Sequence, residues 1–139
     1  MNKISLQAIG VIHTPYQTDE DAPRQAANSK DFGEVEVFPE FIECLEGIEK
    51  FQFLFLIFGF HLAGPFRKHQ VISGWDNAEK GVFATRSPHR PNPLGFSIVK
   101  LLRREDCRLF VEGVDMLDGT PLLDIKPYFS DLDCAEKRL

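Results

Sequence analysis

The sequence predicts an all-β fold, a small closed or nearly closed β-barrel with one or two short helical segments. Three observations point there: period-two alternation of apolar and polar residues recurs, short strand-like runs are divided by Pro- and Gly-rich turns, and helices do not alternate with strands. At 139 residues and 43% hydrophobic composition, the chain is read as one domain, residues 1–139, with one core. Its 13 Phe residues suit a sheet core, because aromatic rings bury large areas and fit pleated surfaces.

Taken in order, Ile4–Ile9 and Gly33–Phe38 alternate as half-buried strands do. Between them, Thr14–Phe32 holds two prolines and many polar residues without periodicity, the mark of a functional or mobile loop, with Arg24 and Gln25 in its middle. Phe41, Leu45, Ile48 and Phe51 recur at steps of three and four, predicting one short helix with Pro39 in its first turn and Gly47 weakening or ending it. Phe51–Phe60 is apolar at both parities, so both faces of that strand need cover. The inner face is core, and the outer is expected to form a homodimer seam. Gly81–Thr85, Phe96–Leu102, Leu109–Val114 and Leu122–Lys126 complete about seven short strands.

Several function classes drop out. Cys44, Cys107 and Cys134 are odd in number and form no Cys-x-x-Cys pair, so they are expected to be reduced and non-ligating. His13, His61, His69 and His89 show no metal-ligand spacing, and no metal is expected. Residues 1–10 lack the apolar core of a signal peptide or membrane span, so the reading is cytoplasmic with no membrane partner. No Gly-x-Ser-x-Gly elbow, Walker loop or Gly-x-Gly-x-x-Gly fingerprint occurs. The net charge of −5 argues against a generally sticky nucleic-acid binder. Acidic residues crowd residues 19–49, however, whereas Arg86, Arg90, Lys100, Arg103 and Arg104 fall in an acid-free stretch able to meet phosphate.

Thr85-Arg-Ser-Pro-His-Arg-Pro-Asn-Pro-Leu-Gly95 is the densest feature. Its prolines stiffen the backbone and lower the entropy cost of presenting Arg86 and Arg90 to an anionic or planar ligand; the bland reading is a solvated surface turn. Asp118-Gly-Thr-Pro121 is by itself a plain turn in which Gly119 allows close backbone approach. His61 follows the apolar strand and reads as a strand-end histidine or a site member, and Asp124 and Tyr128 pose the same choice. These motifs alone name no reaction.

The chain resembles the TsaA-like (YaeB-like) family, which includes tRNA adenosine-37 N6-methyltransferases that use S-adenosylmethionine. The resemblance spans nearly the whole chain and rests on Ile9-Gly-Val-Ile-His-Thr-Pro15, Pro23-Arg-Gln25, Gly81-Val-Phe-Ala-Thr-Arg-Ser-Pro-His-Arg-Pro-Asn-Pro-Leu-Gly95 and Leu117-Asp-Gly-Thr-Pro-Leu-Leu-Asp-Ile-Lys-Pro-Tyr128. It implies a small barrel that binds the cofactor outside any Rossmann framework, and homodimers with cofactor sites near the subunit interface. By resemblance, cofactor contacts fall on Pro23, Arg24 and Gln25, on His61 and Leu62, on Arg90, on Lys100, and on Asp118, Gly119, Thr120 and Pro121.

The implied reaction is in-line attack by adenine N6 on the activated methyl, catalysed largely by positioning. Asp118 or Asp124 could hold the amino group, and Arg86, Arg103 and Arg104 could meet tRNA phosphates. The acceptor implied is adenosine 37, threonylcarbamoylated beforehand. Two departures stand out: Lys68–Asn77 replaces a basic Pro-Pro-Arg segment of many relatives, and the chain ends at Leu139, where longer relatives add a C-terminal domain. Two other readings stay open, a non-catalytic RNA- or nucleotide-binding barrel using Arg86, Arg90 and Trp75, and a methyltransferase on a small-molecule acceptor.

Overall fold

The alternation in Phe53–Gly59 (β3) resolves into two faces: Leu54, Leu56 and Phe58 are buried, while Phe53, Phe55 and Ile57 point outward. The computed structural model describes residues 2–18, 20–23 and 29–138. Within them, β3 joins Gly10–His13 (β1), Phe32–Val37 (β2), Leu94–Glu105 (β6), Arg108–Glu112 (β7) and Thr120–Pro127 (β8) in a closed antiparallel barrel, ordered β1-β2-β7-β6-β3-β8. Closure comes from β1 pairing with both β2 and β8, Gly10 standing opposite Val37 on one side and Leu122 on the other. A closed sheet has no unpaired edge. Inside, Ile12, Val35, Leu54, Leu56, Leu109 and Leu122 are fully buried and form the centre of the core.

The structure moves several boundaries. Ile4–Ile9 is not a strand: Ile4 and Leu6 are exposed, and sheet pairing begins at Gly10. Ile9 donates to the Leu122 carbonyl and accepts from Phe38 N–H, but Pro39 has no N–H to continue the ladder, so the alternation before Ile9 lacks a partner strand. The apolar spacing after Pro39 does place Leu45 in the core with Phe41, Ile48 and Phe51 packed against it. The helix type differs, being two 3₁₀ segments, Pro39–Leu45 and Ile48–Lys50, divided where Gly47 takes φ +85°.

Gly81–Thr85 is likewise not one strand. Gln70–Ile72 (β4) and Glu79–Gly81 (β5) pair as a separate hairpin, and Val82–Ala84 is a 3₁₀ turn. The hairpin tip, Ser73 to Asn77, is a turn that caps itself: Ser73 N–H donates to the Ala78 carbonyl at 2.8 Å and Ala78 N–H donates to Asp76 Oδ1 at 3.1 Å. The expected strands at 96–102, 109–114 and 122–126 are present with shifted ends. β6 is the longest because it pairs with β3 along its first half and β7 along its second, with a register shift between Leu101 and Arg103. A short helix, Ser130–Asp133 (α1), follows β8, and among the described residues no helix is long and apolar enough to cross a membrane.

On the barrel exterior, Phe53, Phe96 and Ile98 lie side by side on β3 and β6 with 37%, 49% and 40% of their surface exposed, the apolar face that β3's two-sided pattern required.

The β1–β2 seam depends on backbones approaching at Gly10, where an added Cβ would lie 2.2 Å from the Glu36 carbonyl oxygen. Gly10→Ala should therefore destabilise the protein by about 1–3 kcal/mol, the usual range for overpacking. Gly81→Ala, where a Cβ meets open space, should leave the urea midpoint near wild type. Equal midpoints for the two variants would remove the close-approach argument.

Candidate functional site

At one end of the barrel, the exits of β3 and β8's entry meet the 85–95 loop and the β4–β5 hairpin tip around a cavity of about 690 Å³. That volume falls within the roughly 300–1,000 Å³ of small-molecule sites. Its apolar floor is made by Phe58 and Phe60, packed edge to face with ring centroids 5.5 Å apart. Gly95 makes this possible, since a Cβ there would fall 2.5 Å from the Phe58 ring and 2.7 Å from the Phe60 ring.

The proline-rich loop is organised by its own polar groups. Arg90 Nη1 donates to the Thr85 and Ser87 carbonyls, each at 3.0 Å, and Thr85 Oγ1 donates to the Val82 carbonyl at 2.7 Å. With φ fixed at Pro88, Pro91 and Pro93, these bonds hold Arg86 on the rim, its guanidinium 5.1 Å from the Phe96 ring centre.

Facing that loop, the turn before β8 is knotted to the end of β1. Thr14 N–H donates to Asp118 Oδ1 at 3.0 Å, Asp118 N–H to the Tyr16 carbonyl at 2.8 Å, Gly119 N–H to the Ile12 carbonyl at 2.9 Å, and Thr14 Oγ1 to the Met116 carbonyl at 2.8 Å. Gly119 has φ +82°, and its missing Cβ would sit 4.0 Å from His61 Nε2, so the turn and the strand-end histidine are neighbours. Tyr16 clamps the following loop: its hydroxyl donates to Asp31 Oδ2 at 2.5 Å, with Ser29 Oγ at 3.1 Å and the Val114 carbonyl at 3.3 Å beside it. Burial, and then the Asp31 carboxylate, raise this hydroxyl's pKa above the ordinary tyrosine value.

A second groove of about 660 Å³ adjoins the first cavity. Lys30, Lys100, Glu112, Phe53 and Ile98 line it, and Arg86, Phe96 and Asp115 line both spaces. Ser97, buried on the inward face of β6, donates to Asp115 Oδ1 at 2.5 Å.

Of the residues singled out in the sequence, Pro23, His61, Leu62, Arg90 and Thr120 line the first cavity together, and Arg86 stands on its rim. Lys100 lines the second groove instead. Asp118 and Gly119 form the supporting turn, and Pro121 packs beside Gly59 at the start of β8. Asp124 lies opposite Ile57, outside both linings, its Oδ1 accepting from Ile125 N–H at 2.9 Å and its Oδ2 3.1 Å from Lys126 Nζ. Arg24 and Gln25 lie outside the described residues.

Arg103 stacks on Phe110 at 3.8 Å and meets Glu105 at 3.3 Å; Arg104 donates to Glu49 at 3.1 Å and to the Asp106 carbonyl at 2.8 Å. The Arg104 hydrogen bond holds the Glu49 carboxyl below the usual carboxylate range. Sequence reasoning missed Tyr16, Ser97 and Asp115. The available signal was Ser97, a polar residue at an inward parity of an otherwise apolar strand.

The family model described as the tRNA-methyltransferase O N-terminal domain matches residues 11–134. The chain is 49% identical over 135 residues to a probable S-adenosyl-L-methionine-binding protein of Pyrococcus abyssi, covering 96% of this chain and 72% of that one. A tRNA (adenine(37)-N6)-methyltransferase of Mus musculus is 44% identical over 94 residues, 66% of this chain and 22% of its own length. A crystal structure of TrmO from Pseudomonas aeruginosa superposes with a TM-score of 0.80 at 39% identity, covering 95% of this chain and 59% of the other. The chain thus spans less than two thirds of that solved relative.

The Tyr16 clamp has a pH signature. Because the folded-state hydroxyl titrates above the ordinary value of 10.0, its contribution is complete below that value and is lost as pH rises through the folded one. From about pH 10 upward, wild-type stability to urea should fall more steeply than that of Tyr16→Phe. Parallel curves would show that Tyr16 is not so held.

Proposed function

The chain belongs to the tRNA-methyltransferase O family, and from that premise we propose that it transfers the methyl group of S-adenosylmethionine to N6 of adenosine 37 in tRNA. The observation that carries the reading is the convergence of Pro23, His61, Leu62, Arg90 and Thr120 on one cavity, since these come from separate segments and are among the residues the family resemblance selects for the cofactor.

The chemistry of the cavity fits that ligand. A purine and the methylenes flanking the sulfonium need apolar cover, which Phe58, Phe60 and Leu62 supply, while an amino-acid tail and ribose need polar partners, which Arg86, Arg90, Ser73 and His61 offer on the lining. The cofactor, when bound, supplies an activated methyl. The protein's part is to hold the two reactants in line and exclude water, for which no nucleophilic side chain is required. In this reading Asp118 acts by anchoring the turn beside His61, through Thr14, and Arg24 and Gln25 extend the cofactor contacts from Pro23.

The acceptor we propose is threonylcarbamoylated adenosine, with Arg86 and Lys100 as phosphate contacts; the intramolecular partners of Arg103 and Arg104 leave these two a smaller share. The outer face of β3 at Phe55 and Ile57 packs against a second copy of the chain, making a cytoplasmic homodimer of single-domain subunits, while the groove lined by Phe96 and Ile98 stays open.

Calorimetric titration with S-adenosylmethionine tests the reading. Wild type should bind, and Arg90→Ala, which loses both loop anchors, should bind at least about tenfold more weakly, or ~1.4 kcal/mol. A folded wild-type protein that takes up no S-adenosylmethionine, even with tRNA present, would overturn it.

A further inference from the structure

Asp115 has no part in the reading above, yet it stands where two ligand spaces meet. Its side chain lines both the cofactor cavity and the adjoining groove, and Ser97, a hydroxyl 4% exposed, fixes Oδ1 at 2.5 Å along that shared wall. The groove has the chemistry of a nucleotide site. Phe96 offers a ring face for a base, and Lys30, Lys100 and Arg86 offer cations for phosphate. The other two carboxylates considered for the reaction face elsewhere: Asp118 is bonded to Thr14 in the supporting turn, and Asp124 lies outside both linings.

Resting on the methyl-transfer reading, we propose that the groove seats the acceptor nucleotide and that Asp115 is the catalytic residue that takes the N6 proton, with Ser97 its positioning residue. The N6 lone pair forms a bond to the methyl carbon as the sulfur–methyl bond breaks, its electron pair remaining on sulfur. The N6 proton passes to the Asp115 carboxylate and on to solvent. N6 is a weak nucleophile because its lone pair is delocalised into the ring, and an acceptor for the departing proton relieves that penalty as the new bond forms. Among the described residues, the other charged or titratable side chains around this wall are Arg86, Lys30, Lys100 and Glu112 in the groove, His61, His89 and Arg90 in the cavity, and Tyr16, which feels the Asp115 charge.

Asp115→Asn keeps the shape and removes the base. We expect S-adenosylmethionine affinity by calorimetry and tRNA affinity by filter binding to stay within about threefold of wild type. Single-turnover methylation of tRNA should fall at least about 100-fold and lose its rise with pH across the carboxylate range. Ser97→Ala, which spares the carboxylate, should shift that rise to higher pH, because a hydrogen bond to the ionised form is lost, with S-adenosylmethionine affinity unchanged. An Asp115→Asn protein that methylates at the wild-type rate overturns the proposal, as does one that loses cofactor affinity in step with rate. So does a Ser97→Ala profile identical to wild type. Wild type that binds S-adenosylmethionine but methylates no tRNA instead overturns the parent reading, which separates the two failures.

Discussion

The hydrogen-bonded knot between Thr14 and Asp118 ties residues 104 positions apart and joins the exit of β1 to the entry of β8. Much else follows from it. The first and last strands of the barrel pair over Gly10 to Ile12, a short seam, and the side-chain and backbone bonds just beyond its end extend the closure. The same knot fixes the path of Val114 to Thr120, and with it the positions of Asp115, Met116 and Leu117 on the cavity wall. Closing the sheet and shaping the site are thus a single structural event.

The arginines divide into distinct tasks even though all sit in one acid-free stretch of sequence. Arg90 spends one nitrogen on two carbonyls of its own loop, acting as an internal brace, and that brace presents Arg86 over Phe96. Arg103 and Arg104 turn to their own acidic and aromatic neighbours on the far half of β6. A basic segment therefore becomes a small positive rim on a chain of net charge −5, a field local to the cavities rather than one that coats the surface.

The barrel was legible because β3 is apolar at both parities and the later strands alternate cleanly between Pro and Gly turns. The proline-rich loop was legible as a stiff turn for the same local reason, but not the inward turn of Arg90, whose guanidinium braces the Thr85 and Ser87 carbonyls. Ile4–Ile9 misleads because alternation records only a tendency to pair, and Pro39 removes the partner. The β4–β5 hairpin hides because strands of three residues carry too little pattern, although the Ser73-Gly-Trp-Asp-Asn77 turn chemistry marks its tip. Asp115 and Asp118 are three residues apart and equally acidic. What separates them is Ser97 on another strand and Thr14 at the far end of the barrel, information that exists only after folding.

Arg86, Phe96 and Asp115 are a party wall, each side chain belonging to two rooms at once. A ligand that settles these three in one rotameric arrangement has chosen the wall for whatever enters next door. Thermodynamic linkage then requires reciprocity: any factor by which the first occupant changes the affinity of the second is the factor by which the second changes that of the first. Cooperativity between two ligands, where it occurs in this small barrel, needs no moving domain.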